Sequence, residues 1–242
     1  MKIGIVSVSV VAIAVIAAGC GDGQQGTAAV TSASVGVSGK SGGVVVAEDD
    51  RKAAEAAVLT INDMQAGSTA KGAVKSDVAA FTTSFRNTPD FLTCMGMEPS
   101  QLNRFGPWAS SPTFTMPDGH ISGSYVAFAS AVEDAISGMR EYRDSRFAAC
   151  TLSSLRNQKV AGLTVDSVDA LAFPELGDET IAYRTVVTIS VNGTTIRGIQ
   201  DAVVIRRGRV QVTMEFDSND GTPFPIDRAE ALARVVVSRL PK

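Results

Sequence analysis

The sequence feature that most constrains the fold is a β-hairpin in the second half of the chain. Residues 180–191 alternate between apolar and polar side chains, the period of a strand with one covered face. Asn192-Gly193 follows at once, and this pair favours a two-residue hairpin turn. Residues 194–205 can then pair back along the first strand. This stretch predicts an antiparallel sheet.

Other alternating segments extend the hairpin into a meander, and helical patterns supply its cover. Further strands are predicted at residues 112–116, 121–128, 160–173 (bulged) and 210–216. Helices are predicted at residues 53–59 and 74–85, from Thr88 to a stop at Gly96, from a capping box at Ser130, around Phe147 to Leu155, and from Asp227 to Leu240. The fold class is therefore α+β: an antiparallel sheet of about four to six strands, covered on one face by helices, with a C-terminal helix.

The patterns also predict one buried helix stripe and one loop. The helix that starts at Ser130 is predicted to bury Val132, Ile136 and Met139 on one stripe. Residues 98–110, which contain two prolines and the single tryptophan, are predicted to be a loop.

The first twenty residues read as an export signal that ends in a lipid anchor. Lys2 precedes an apolar run that is shorter than the roughly 20 residues needed to span a bilayer, and small residues lead to Cys20. A cysteine at such a cut resembles the lipobox of bacterial lipoproteins, where the thiol receives diacylglycerol and the new terminus a fatty acid such as palmitate. The alternative is a plain secretory peptide with an incidental cysteine.

The predicted leader sets the segment boundaries of the chain and the expected location of the mature protein. Residues 1–19 are the signal peptide, residues 20–46 a flexible tether rich in Gly, Ser, Ala and Thr, and residues 47–242 a single α+β extracytoplasmic domain. The expected location is the extracytoplasmic face of the cell membrane, with the membrane contacted through the lipid on Cys20.

The two other cysteines form an even pair in an exported chain. Cys94 and Cys150 are therefore predicted to form a disulfide, the alternative being two free buried thiols. A metal site is not expected, because no cluster of cysteine and histidine could complete four ligands. No cofactor is predicted.

Five segments carry a resemblance to a known family. They are residues 59–67 (LTINDMQAG), 91–96 (FLTCMG), 146–150 (RFAAC), 173–179 (FPELGDE) and 203–209 (VVIRRGR). Together they resemble a family of uncharacterised actinobacterial lipoproteins, which is distantly similar to the extracellular sensor domain of the mycobacterial serine/threonine kinase PknH. The resemblance implies the fold, a cysteine pair that matches Cys94 and Cys150, and a ligand-binding role.

Catalytic patterns are weak. The sole histidine, His120, lies in a predicted turn and is expected to be exposed, and no G-x-S-x-G elbow or phosphate-binding glycine loop occurs. The acidic residues at 175, 178 and 179 are predicted to form a solvated turn, and the arginines at 206, 207 and 209 to blunt a hairpin tip. Nucleic acid is not an expected partner, because there is no basic block and the net charge is −3. We predict no enzymatic activity.

Two functions remain after these exclusions. The first is a tethered, non-catalytic ligand-binding or sensor-like module that takes a small or lipidic ligand, or a wall component, in a groove between sheet and helices. Phe105, Trp108 and Phe114 are the candidate residues for that groove. The second is a structural lipoprotein that binds another envelope protein without a ligand pocket.

Overall fold

The computed structural model describes residues 41–78, 88–99, 105–191 and 193–241. Its helices are α1 (Ser41–Ala57), α2 (Pro89–Met95), α3 (Val132–Arg143), α4 (Phe147–Asn157) and α5 (Ile226–Arg239). Its strands are β1 (Thr69–Lys71), β2 (Lys75–Asp77), β3 (Phe105–Ser110), β4 (Thr113–Thr115), β5 (Ile121–Ala129), β6 (Leu163–Ala170), β7 (Glu179–Val191), β8 (Thr194–Arg207) and β9 (Val210–Ser218). The α+β class is confirmed.

All nine of these strands belong to one open antiparallel sheet, which is larger than the predicted four to six. The main order is β1-β4-β5-β9-β8-β7-β6, and β3 pairs with both β5 and β2. The predicted strand at residues 112–116 is present as β4. Of the three additional strands, β1 and β2 have only three residues each, too few to show alternation. The third, β3, was predicted to be a loop because of Pro107. This proline lies where the pairing with β5 shifts register, and an irregularity of that kind admits a proline.

The central hairpin is confirmed. Strands β7 and β8 are registered from Glu179 opposite Arg206 to Val191 opposite Thr194, a two-residue connection. The predicted bulge in β6 is also present, since the register with β7 shifts between Val165 and Ser167.

Helices cover both faces of the sheet, whereas one covered face was predicted. The neighbouring residues Val203 and Val204 of β8 point to opposite faces and belong to different apolar clusters. The cluster around Val203 contains residues of α1 and α5, and the cluster around Val204 contains residues of α2, α3 and α4. The physical reason is that the middle of β8 is apolar at consecutive positions and so needs cover on both sides.

Helix α1 begins at Ser41, ahead of the predicted domain boundary at residue 47. It is tied to the sheet by an ion pair in which Arg209 Nη1 donates to Asp50 Oδ2 at 2.9 Å. Residues 1–40, which include the predicted signal peptide and Cys20, lie outside the described residues. None of the described helices is long and apolar enough to cross a membrane.

Two helical predictions are corrected. Lys75–Asp77 is a strand, although the pattern from Val74 predicted a helix; residues 79–87 of that pattern lie outside the described part. Helix α3 begins at Val132 with Ala131 as its N-cap, so Ser130 is not the cap. Because the helix begins later than predicted, the buried face differs from the predicted stripe, and Val132 is 41% exposed. The residues of α3 that are buried are Ala135, Gly138, Met139 and Tyr142.

The short helix α2 forms as predicted and carries one half of the disulfide. The Thr88 side chain accepts a hydrogen bond from the Phe91 amide, and Gly96 ends the helix in the left-handed conformation with φ 67°. The predicted bond between Cys94 and Cys150 is confirmed and joins α2 to α4, with the two Cα atoms 5.6 Å apart.

Gly138 permits the close approach of α3 to the sheet. A Cβ atom at this position would lie 2.9 Å from Phe105 Cζ and 3.4 Å from Gln211 Oε1. We expect Gly138→Ala to lower the free energy of unfolding by about 1–3 kcal/mol, because overpacking outweighs the gain of up to about 1 kcal/mol in helix propensity. Urea unfolding checks this, with Ser137→Ala as the control; an unchanged or higher midpoint would contradict it.

Candidate functional site

A group of polar residues lies on the sheet face that α2, α3 and α4 cover. We call Thr185, Gln200, Glu215 and Asp217 the acidic row. Strand register places Asp217 opposite Gln200, and Gln200 opposite Thr185, so these three side chains cross β9, β8 and β7 in line. Glu215 precedes Asp217 by two residues on β9 and therefore points to the same face.

The strand partners of Glu215 are small residues. Its partner on β5 is Gly123, and its partner on β8 is Ala202. A Cβ atom added at Gly123 would have Ser111 Oγ, at 3.8 Å, as its nearest neighbour, so there is room for a side chain. The register thus places a small residue on each side of Glu215.

Three atoms of the acidic row are buried without a hydrogen-bond partner. They are Thr185 Oγ1, Glu215 Oε1 and Asp217 Oδ1. Thr185 is 2% exposed and Glu215 is 9% exposed. Each buried polar atom without a partner costs about 1–3 kcal/mol, and native proteins contain few of them. Their grouping on one patch of the sheet marks this patch as a candidate site.

Burial is the main reason that both carboxyl groups of the acidic row have raised pKa values. It raises the pKa of Glu215 well above its ordinary value, and the neighbouring charge of Asp217 adds to the effect. Burial also raises the pKa of Asp217 to about 7, while a hydrogen bond from Gln200 opposes the shift and the charge of Asp201 reinforces it. Strongly shifted carboxyl groups of this kind cluster at functional sites.

A small cavity of about 20 Å³ adjoins Asp217, which is room for the centre of one water-sized group. Its wall includes Thr185, Gln200 and Asp217 from the acidic row. Ile121 and Val187 add apolar surface on either side. The cavity therefore matches a small polar group better than an acyl chain.

The predicted groove residues are not brought together. Phe105 and Trp108 pack beside α3 in one cluster, and Trp108 is paired with Ala127, on the same sheet face as the acidic row. Phe114 is fully buried on the opposite face, in the cluster that contains α1 and α5. Its role is in the core, and the three aromatic side chains do not share a groove.

His120 is 7% exposed, although the sequence predicted an exposed turn residue. Its Nε2 lies 3.2 Å from the carbonyl oxygen of Thr222, and its Nδ1 lies 3.2 Å from Asp118 Oδ1. Arg228 of α5 donates to Asp118 Oδ2 at 2.7 Å. Asp118 has its pKa lowered to about 2, because the hydrogen bonds from Arg228 and His120 outweigh its partial burial. The histidine thus ties the β4–β5 turn to the chain before α5.

The other charged groups noted in the sequence also serve the fold. Arg206 donates to Asp178 Oδ2 at 2.9 Å and to Glu179 Oε1 at 3.0 Å, so these carboxylates do not form an isolated pair. Arg207 donates to the carbonyl oxygen of Val237 at 2.9 Å. With Arg209 bound to Asp50, the three arginines of the predicted basic tip all make contacts within the protein.

No cluster of three or more histidine, cysteine, aspartate or glutamate side chains that could hold a metal ion occurs among the described residues. The two carboxyl groups of the acidic row would need further anionic ligands to form such a site.

Sequence reasoning missed the acidic row because it assigned only one face of β9 to the interior. Val210, Val212, Met214 and Phe216 were recognised as inward-facing, and the residues between them were taken to face water. The sequence signal that could have revealed the row lies in the partner strand β8, where residues 202–205 are all apolar. A strand buried on both faces implies that the polar positions of its neighbour are covered too.

Comparisons with known proteins give structural neighbours alone. No protein-family profile matches the chain, and no curated protein shows significant sequence similarity. The extracellular domain of PknH from Mycobacterium tuberculosis matches with a TM-score of 0.36 and 11% identity, covering 78% of this chain and 95% of that one. LpqN, involved in cell envelope biogenesis in the same organism, matches with a TM-score of 0.28 and 14% identity, covering 72% and 88%. The extracellular domain of PknH, which the sequence segments resemble, is thus among the structural neighbours of the chain.

Proposed function

We propose that this chain is a lipid-anchored envelope protein whose folded domain is a non-catalytic binding module, with the acidic row as its ligand contact. The observation that carries the proposal is the group of three buried, unpartnered polar atoms on Thr185, Glu215 and Asp217. A folded chain does not leave such atoms together without a cost in stability. A ligand that donates hydrogen bonds to them would offset that cost.

The chemistry of the row supports binding over catalysis. A pair of catalytic carboxyl groups divides acid and base roles when the environment pushes their pKa values apart. Here burial raises the pKa of both Glu215 and Asp217, and they lie two residues apart on one strand. His120, the sole histidine, is engaged with Asp118 and Thr222.

The test is to add a side chain beside Glu215, at Gly123, without disturbing the core. Gly123→Val adds a β-branched side chain where the nearest atom is 3.8 Å from the new Cβ. We expect the variant to fold at least as stably as the native protein, since valine favours strands. Native mass spectrometry of the full chain purified from its own host should show a carried mass on the native protein and its loss from the variant.

Ser190→Val is the matched control, because it makes a similar replacement at an exposed strand position away from the row. The control should keep the carried mass. If Gly123→Val retains the ligand, the site lies elsewhere. If native protein carries nothing, the second function, a structural lipoprotein that binds an envelope protein, is favoured instead.

The anchor is tested separately. We expect Cys20→Ser to release the protein from the membrane fraction to the medium, because stable anchoring needs acyl chains on that residue. Fractionation of host cells with immunodetection measures the change. A Cys20→Ser protein that stays in the membrane fraction would contradict lipidation at this position.

A further inference from the structure

This fold pairs its other buried or nearly buried carboxylates with arginine. Four such pairs occur among the described residues: Asp50 with Arg209, Asp63 with Arg239, Glu179 with Arg206, and Asp201 with Arg184. The last is the closest comparison, because Asp201 is 2% exposed and adjoins Gln200 of the acidic row. Its two oxygens accept from Arg184 Nε at 2.6 Å and Nη2 at 2.7 Å.

The acidic row departs from this rule. No ion pair to Glu215 or Asp217 is formed by any described residue. The titratable groups that share their face on neighbouring strands are Tyr125, Glu179, Tyr183 and Arg206. Arg206 is held by Asp178 and Glu179. The carboxyl groups of the row are therefore the two acids of the sheet interior without a positive counterpart in the described chain.

The unpartnered atoms also specify what can bind. The amide of Gln200 donates to Asp217, which leaves Asp217 Oδ1 as an acceptor, and Glu215 Oε1 is a second. Thr185 Oγ1, which lines the cavity, is a third polar atom that can accept. An ammonium group has three donors and no acceptor, so it complements such a set. The cavity of about 20 Å³, which Thr185 and Asp217 line, has room for a group of that size, and Glu215 lies two residues from Asp217 on the same face of β9.

We propose, building on the proposed function, that the acidic row binds the primary ammonium group of an organic cation, and that this cation takes the place that arginine holds beside the other buried carboxylates. The rest of the ligand would lie over Gly123 and Ala202, the small strand partners of Glu215.

Binding of a cation to protonated carboxyl groups must release protons. Because the pKa of Asp217 is about 7 in the empty site, the affinity for an ammonium should fall as the pH drops below that value. The limiting slope is about ten-fold per pH unit for each proton released. A neutral ligand would not show this dependence.

The experiment compares putrescine with butane-1,4-diol, which has the same chain length and lacks the charge. Isothermal titration of the full protein at pH 5, 6, 7 and 8 should show putrescine binding that weakens about ten-fold per unit below pH 7, and no binding of the diol. Asp217→Asn and Glu215→Gln should each weaken putrescine binding at least ten-fold, and Glu133→Gln, at an exposed position on α3, should not. Circular dichroism confirms that each variant is folded.

Several outcomes would overturn the inference. Equal binding of the diol and the diamine would assign the row to neutral ligands, and saturation by Mg²⁺ in place of putrescine would assign it to a metal ion. A host ligand that Gly123→Val displaces but that has no amine would leave the proposed function standing and refute this inference alone.

Discussion

Replacing Cys94 and Cys150 together by serine is expected to lower the free energy of unfolding by about 4 kcal/mol. The bond spans 56 residues, and its main effect in the chain-entropy model is to restrict the unfolded chain across that loop. The contacts around it also depend on the link, because α2 packs on α4 through Phe91 and Phe147, whose ring centres are 5.9 Å apart. Urea denaturation with linear extrapolation measures the loss.

The native protein under reducing conditions is the internal control for the disulfide. It should unfold at the urea concentration found for the double serine variant, since both lack the same link. Coincident transitions for the oxidised protein and the variant would show that the bond contributes nothing to stability.

Asp217→Asn is expected to raise the free energy of unfolding at pH 8 by up to about 4 kcal/mol. The pKa of Asp217 is raised from 3.8 to about 7 in the folded protein. Between these values the unfolded chain loses a proton that the folded chain keeps, so rising pH destabilises the native protein. Asparagine has no charge to bury and removes this loss.

The pH profile distinguishes this effect from simple repacking. At pH 3 the native protein and Asp217→Asn should have similar stabilities, and the difference should grow from about pH 4 to pH 7 and then level off. Asp169→Asn, an exposed acid-to-amide change on β6, should show no such growth. A constant difference at all pH values would contradict the raised pKa.

The disulfide and the acidic row have opposite effects on stability, although both lie on the same face of the sheet. The disulfide holds α2 and α4 over the β6–β7 side and stabilises the fold. The acidic row lowers stability at neutral pH by keeping two carboxyl groups buried. A loss of stability that is confined to one patch is typical of a binding site whose partner is missing.

The sequence was sufficient for features that depend on neighbouring residues. Alternation and the Asn192-Gly193 turn predicted the β7–β8 hairpin, and Thr88 and Gly96 predicted both ends of α2. The export context and the even cysteine count predicted the disulfide. In each case, local backbone preference or covalent chemistry decides the outcome, and the rest of the chain need only permit it.

Tertiary structure decided the remainder. Strands β1 and β2 form because β4 and β3 supply their partners, and β3 tolerates Pro107 at a register shift. Tertiary packing, and not local preference, buries the Glu215 side chain and leaves Asp217 only partly exposed. The sequence by itself thus determined the antiparallel framework and its covalent link. Only tertiary packing, through desolvation, turned two ordinary strand carboxyl groups into a candidate site.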